Sequence, residues 1–365
     1  MTTSMTLSSR RVAVGLMALR RGLKQLADTV VPPEVAVNDM ATCMGVTHVA
    51  NAFAELGIAD VVGDCECTAV RIAAALGTDV DFTHRLVRTA SEFGLCRMNS
   101  RTGAVTLTRA GQLLRSDHPN SMREWVMLHG SRMQTEAWTH LTDALRTGGN
   151  AFASVHGMSL WDWLPTHPTD ARVFDEAMCR GTAVVADVIA GAYPWPQDGV
   201  VCDVGGGVGT LLSAVVSSTN GLRGVVVDSP DVVARAEDFL KARGLGDRID
   251  AVVGDMFGDI PATADVYLLK DVLHDWDDDH CRKILSTVAA AMPSGSRIVL
   301  VEVLQAPNRP NLLAPWADLL MLTQTDGGRQ RSFDELAALL TDAGLHPTGM
   351  VRHAVPHDLV EGVKP

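Results

Sequence analysis

The sequence predicts an α/β fold: a Rossmann-like, doubly wound sheet preceded by an all-α, winged-helix-like domain. Three observations carry this expectation. From Gly199 onward, β-branched runs alternate with helical patterns, as in a parallel sheet with helices on both faces. The run Val200-Val201-Cys202-Asp203-Val204 feeds Gly205-Gly206-Gly207, and Val225-Val226-Val227 stops at Asp228; together they read as half of a nucleotide-binding unit. Upstream, two helical patterns and a hairpin pattern follow one another between Thr68 and Leu107.

A length of 365 residues suggests two or three domains. We expect a mobile N-terminal helix over 1–31, a winged-helix-like dimerisation domain over 32–115, a helical linker and pocket region over 116–195, and the Rossmann-like domain over 196–365. A 47% hydrophobic, 20% charged chain is globular. Its net charge of −12 argues against a nucleic-acid partner, which needs a basic face. No stretch reaches the ~20 apolar residues of a membrane span. Ser9-Arg10-Arg11 before Val12–Leu19 mimics a twin-arginine signal, but the apolar run is short and ends at Arg20-Arg21. The cytoplasm is therefore expected. Most of the seven cysteines lie in apolar runs, and Cys65 and Cys67 form a lone C-x-C, so no metal site is expected.

In chain order, a helical pattern over Asp39–Val62 is expected to break near Gly57-Ile58-Ala59-Asp60. Thr68–Gly77 reads as a short capped helix. Phe82, Leu86, Ala90 and Phe93 recur at helical spacing and predict the next one. Strand-like pieces around Leu95–Met98 and Ala104–Leu107 flank the turn Asn99-Ser100-Arg101-Thr102-Gly103. His84, Arg85 and Arg88 on the second helix raise the possibility of DNA contact, which the acidic chain disfavours. Phe174, Met178, Gly181, Val185 and Val188 predict a packed helical seam. In the C-terminal half, Ser229-Pro230 opens a helix. Asp277-Asp278-Asp279 reads as another helix start. Ser332 and Glu335 form a capping box, and Gly344 ends that helix. One or two last strands are expected after Thr348.

Four signals fall at strand ends, where a doubly wound sheet binds its ligand. They are the glycine turn, Asp228, Gly254-Asp255-Met256-Phe257, and Leu269-Lys270-Asp271-Val272-Leu273-His274-Asp275-Trp276. Asp228 follows the glycines at about the 20-residue distance expected of a carboxylate that holds ribose hydroxyls. Asp203 would repel a dinucleotide's phosphates. It suits a cationic, phosphate-free nucleoside ligand such as S-adenosylmethionine.

These stretches resemble the class I S-adenosylmethionine-dependent O-methyltransferases of the caffeate/flavonoid type and their bacterial natural-product relatives. The resemblance runs from about Pro33 onward. It rests on Glu55-Leu56-Gly57-Ile58-Ala59-Asp60, Asp203-Val204-Gly205-Gly206-Gly207, Gly254-Asp255-Met256-Phe257, His274-Asp275-Trp276 and Gly327-Gly328-Arg329-Gln330-Arg331. It implies that Asp203, Gly205 and Gly207 meet the methionine end of the cofactor. Asp228 would take the ribose, Asp255 and Met256 the adenine, and Lys270 would help close the pocket. His274 would be the general base, with Glu302 as its orienting partner. Gln330 stands where the family often has a second glutamate; it can hydrogen-bond but cannot balance an imidazolium.

The chemistry gives His274 an independent rationale. Methyl transfer from a sulfonium needs an aligned oxygen and removal of its proton. A phenol has a pKa of ~10, and an imidazole is a suitable acceptor. The expected reaction is methyl transfer to a phenolic or quinonoid hydroxyl of a small aromatic or polyketide-like metabolite. Trp161, Phe174, Met178, Asp318 and Met321 are candidate substrate contacts. A homodimer is expected from the apolar N-terminal helices. Three alternatives stay open: a cofactor-binding relative that transfers no methyl (decarboxylase, hydroxylase or pericyclase type), a winged-helix regulator, and a nicotinamide-dependent reductase, which Asp203 and the G-x-G-x-G spacing disfavour.

Overall fold

A computed structural model describes residues 19–306, 313–352 and 356–365, except 21, 24 and 28. The Ser9-Arg10-Arg11 stretch lies outside the described residues, as does most of the helix expected over 1–31. The chain forms two compact units. One takes Ala137–Trp163 and Thr182–Pro365, and the other takes the described residues up to Glu136 together with Leu164–Gly181.

The second unit begins with helices Pro33–Thr42, Met44–Glu55 and Ile58–Val62. The long helix expected over Asp39–Val62 is thus divided at Cys43 and at Gly57, which adopts a left-handed φ of 72°. Helix Ala69–Leu76 is capped by Thr68, whose side chain accepts from Arg71 N, and ends at left-handed Gly77. Helix Val80–Glu92 buries Thr83, Val87 and Ala90. Phe82 is 68% exposed and Phe93 is 42% exposed, so the buried stripe runs beside the one expected. The Arg85 guanidinium lies 5.7 Å from the centroid of the exposed Phe82 ring. Strands β1 (Cys67–Thr68), β2 (Cys96–Met98) and β3 (Ala104–Leu107) form an antiparallel sheet in the order β1-β3-β2. Helix pair and hairpin are the winged-helix pattern; two-residue β1 carries no periodicity to read.

In the first unit, β4 (Asp198–Val204), β5 (Gly221–Asp228), β6 (Ile249–Val253), β7 (Val266–Lys270), β8 (Arg297–Glu302), β9 (His346–Val351) and β10 (Asp358–Val363) form one sheet. Its order is β6-β5-β4-β7-β8-β10-β9. The pairs β4·β5, β5·β6, β4·β7 and β7·β8 are parallel, and β10 is antiparallel to both neighbours. Alternate side chains leave opposite faces of a strand, and both faces here are apolar. Tyr267 and Leu269 join one core with Ile284, Leu285 and Leu340. Val266 and Leu268 join the other with Ile189, Leu212 and Val215. Burial on both faces explains the uninterrupted apolar runs of these strands. The order reverses between β4 and β7, so a crevice opens at their C-terminal ends.

The helix Pro168–Ala190 buries Val173, Ala177, Val185, Ala186, Ile189 and Ala190. Met178 is exposed and Phe174 half-buried, so these two members of the expected seam are not core.

Candidate active site

The glycine turn follows β4. Gly205, Gly207 and Gly209 have φ of 69°, 60° and 82°, a region open mainly to glycine. A Cβ on Gly206 would come within 2.7 Å of Asp203 Cγ, whereas nothing lies within 4 Å of the Cβ position of Gly207. The turn is thus fitted around one carboxylate and open where a ligand would approach. Asp228 ties β5 to it, accepting from Gly207 N at 2.9 Å and Ser229 N at 2.7 Å.

Both acids carry an electrostatic penalty. Burial pushes Asp203 up to about 7; the Asp228 charge adds to this and Lys270 opposes it. Burial also raises Asp228, against the two backbone donors. A cation placed between them would relieve both. Lys270 is itself engaged by Asp271. Such a donor set fits the sulfonium and ribose of S-adenosylmethionine and would repel a pyrophosphate. Beyond β6, Asp255 accepts from Phe257 N at 2.8 Å, closing a tight turn. Asp255 is exposed, and half-buried Met256 packs on the core.

His274 sits in a short 3-10 turn, Leu273–Asp275, directly after β7. Its Nδ1 is 2.9 Å from Glu302 Oε2, at the end of β8. Leu273 N donates to the other oxygen, Oε1, at 3.0 Å. One buried carboxylate therefore fixes both the turn and the imidazole it carries. Nε2 lies 3.4 Å from Asp275 Oδ1, and Nδ1 lies 3.7 Å from Asp271 Oδ1. Burial works to lower His274, but the surrounding Glu302, Asp275 and Asp271 charges outweigh it and push the imidazole up to about 10. Asp275 is pushed up to about 7 by burial; His274 opposes that shift, while Glu302 and Asp271 add to it.

The Gly327–Arg331 segment closes over this turn. Arg331 donates to Leu273 O and Trp276 O, both at 2.7 Å, and to Asp278 Oδ1 at 2.9 Å. A Cβ on Gly328 would sit 2.2 Å from Thr325 Oγ1 and 2.5 Å from His274 O. Gln330 N donates to Asp318 Oδ1 at 2.8 Å, and Gln330 Oε1 is buried without a partner. Among the described residues no hydrogen bond joins Gln330 to His274. Trp161 stacks on Trp276 with ring centroids 5.8 Å apart. Buried Met321 shares the helix Leu313–Gln324 with Asp318. Phe174 and Met178 belong to the other unit. The structure also brings in Asp271 and His357, to which the sequence reading gave no role: His357 Nε2 lies 3.0 and 3.1 Å from the two Asp271 oxygens. Arg331, part of a quoted motif, gains its role only from its three contacts.

Residues 138–346 match the model of the O-methyltransferase domain family. The chain belongs to that family. It is an S-adenosylmethionine-dependent O-methyltransferase. It is 35% identical to the phenazine O-methyltransferase PhzM of Lysobacter antibioticus over 86% of this chain and 91% of that one. It is 37% identical to the O-demethylpuromycin-O-methyltransferase of Streptomyces alboniger over 80% of this chain and 78% of that one. The crystal structure of LaPhzM superposes with a TM-score of 0.88 at 34% identity, covering 92% of this methyltransferase and all of that chain. Human N-acetylserotonin methyltransferase in complex with S-adenosylmethionine gives 0.84 at 26% identity, covering 92% of this chain and 98% of that one. Among its described residues, no helix is long and apolar enough to cross a membrane.

Proposed function

We propose that this methyltransferase uses His274 as the general base for methyl transfer to a phenolic or quinonoid hydroxyl of a small aromatic metabolite. The carrying observation is the contact of His274 Nδ1 with Glu302 Oε2 at 2.9 Å, on a carboxylate also held by Leu273 N. With Nδ1 committed to Glu302, Nε2 is the nitrogen left for the acceptor's proton. When bound, S-adenosylmethionine supplies an electrophilic methyl group. Asp203, Gly205 and Gly207 would hold its methionine end, Asp228 its ribose, and Asp255, Met256 and Lys270 the adenine side. Trp161, Asp318 and Met321 are assigned to the acceptor. Relatives that act on phenazine and O-demethylpuromycin support this acceptor class.

An imidazole at about 10 matches a phenol of pKa ~10, so proton transfer between them is nearly balanced. Below that value His274 already holds a proton, so the transfer rate should climb as pH rises from neutrality. The test is transfer from labelled S-adenosylmethionine to a panel of phenols. His274→Ala should lower the rate about 10²- to 10⁴-fold with cofactor binding kept. An unchanged rate would remove the base assignment.

Residues 32–115 are assigned to self-association. Helix Pro33–Thr42 has no buried residue, and Val37, Met40 and Met44 are exposed apolar side chains. Sedimentation should find a dimer, and Met40→Asp with Met44→Asp should give a monomer.

A further inference from the structure

Asp271 is a non-glycine residue with positive φ, 52°, a conformation that side-chain-bearing residues adopt rarely and that gathers at functional sites. Three contacts hold it there. Its N donates to Val301 O at 3.0 Å, Lys270 Nζ engages Oδ2, and His357 Nε2 meets both oxygens. His357 is buried, and its Nδ1 has no hydrogen-bond partner. The same Asp271 carboxylate faces His274 Nδ1 at 3.7 Å, beside the shorter contact to Glu302. Two imidazoles therefore share one carboxylate.

The geometry points to Asp271 and His357 as positioning residues that together set the proton affinity of His274: the Asp271 charge, 3.7 Å from Nδ1, adds to the pull of Glu302, which takes the hydrogen bond, and His357 tempers that charge by meeting both carboxylate oxygens. This rests on His274 being the base only for its catalytic consequence. The charged groups around His274 are Glu302 from β8, Asp275 from its own turn and Asp271 from the end of β7. Behind the turn, Arg331 is spent on carbonyls and on Asp278. The groups around Asp271 are Lys270, His357 and His274. Burial would raise the Asp271 carboxyl, but His357, Lys270 and His274 hold it well below the usual carboxylate range. It is thus charged at every working pH.

Removing the Asp271 charge must lower the His274 proton affinity, and removing the His357 donor must raise it. Asparagine tolerates the left-handed region, so Asp271→Asn keeps the backbone. His357→Leu removes the donor, and His357→Gln restores one. The experiment is a pH titration of ring-labelled histidine by NMR, on full-length protein saturated with S-adenosylhomocysteine. The His274 signal is identified by its loss in His274→Gln. Asp271→Asn should move the His274 midpoint down by about one pH unit, His357→Leu should move it up, and His357→Gln should leave it near the parent. If His357→Leu does not fold, His357→Met, which also removes the donor, takes its place. Midpoints that stay put, or that move in one direction in both charge-altering variants, overturn the proposal. The pH dependence of methyl transfer is measured alongside. A midpoint that moves while the rate profile does not would leave this inference standing and sink the base assignment instead.

Discussion

Arg331 donates from a nearly fully buried guanidinium to the carbonyl of Leu273 at 2.7 Å, one residue before the imidazole. A second arm reaches Trp276 O, and Nε reaches Asp278. The planar fork clamps the 3-10 turn from behind while Glu302 holds it from the front. Lysine offers one point charge and cannot serve these directions together. Arg331→Met removes the guanidinium bonds to both carbonyls, leaving Leu273 O its weaker bonds from Trp276 N and Cys281 Sγ and Trp276 O only the long one from Cys281 Sγ, and should cost about 2–4 kcal/mol of stability. Arg331→Lys should cost less but lower kcat, because the turn is looser. Denaturant unfolding and steady-state kinetics read the two effects separately.

Gly328 sets how closely that clamp fits. Any Cβ there collides with Thr325 Oγ1 and with the His274 carbonyl. The second is backbone and cannot rotate aside. Gly328→Ala should therefore displace the turn that carries the imidazole and lower kcat on the order of 10- to 100-fold. S-adenosylmethionine affinity should be little changed, since Asp203 and Asp228 lie on other strands. Calorimetric binding beside kinetics tests this split.

Asp203 predicts a pH dependence of both stability and binding. Its carboxyl is near 7 in the folded chain, against an ordinary value of about 3.9 when unfolded. Below the unfolded value both states are protonated and nothing is lost. As pH rises toward 7 the unfolded chain ionises first, so folding is progressively disfavoured, and the full loss is present above 7. Asp203→Asn should thus stabilise the cofactor-free protein at pH 8, not at pH 4, and should weaken S-adenosylmethionine binding. Binding to the parent near pH 7 should release protons, seen as a buffer-dependent heat that Asp203→Asn abolishes.

Ser332 provides a control outside the chemistry. Its hydroxyl accepts from Glu335 N, and Glu335 returns a bond to Ser332 N. Ser332→Ala should cost ~1 kcal/mol and lower the melting temperature with kcat unchanged.

How much of this was legible follows from the range of each interaction. The glycine turn, the capping box and the Asp277 helix start are local, so residue type and spacing reveal them. The parallel strands announce themselves because both faces are buried. Helix Val80–Glu92 was legible as a helix but not in its facing: two apolar stripes run side by side, and only packing selects Thr83, Val87 and Ala90. The Asp271–His357 pair lay out of reach. It forms because β10 enters antiparallel between β8 and β9, which brings His357 to the end of β7. Nor does any local pattern announce a positive φ at an aspartate.

The reversal of strand order between β4 and β7 has an evolutionary consequence. Under the proposed assignment, the acids that grip the methyl donor stand on the β4–β6 half, and the imidazole with its flanking carboxylates stands on the β7–β8 half. Hydrogen-bond ladders within one half are not interrupted by exchanges in loops of the other. Lineages can therefore inherit donor recognition intact while the acceptor wall drifts toward new metabolites. Changes in specificity should accumulate around Trp161, Asp318 and Met321, and leave the Asp203–Gly209 turn untouched.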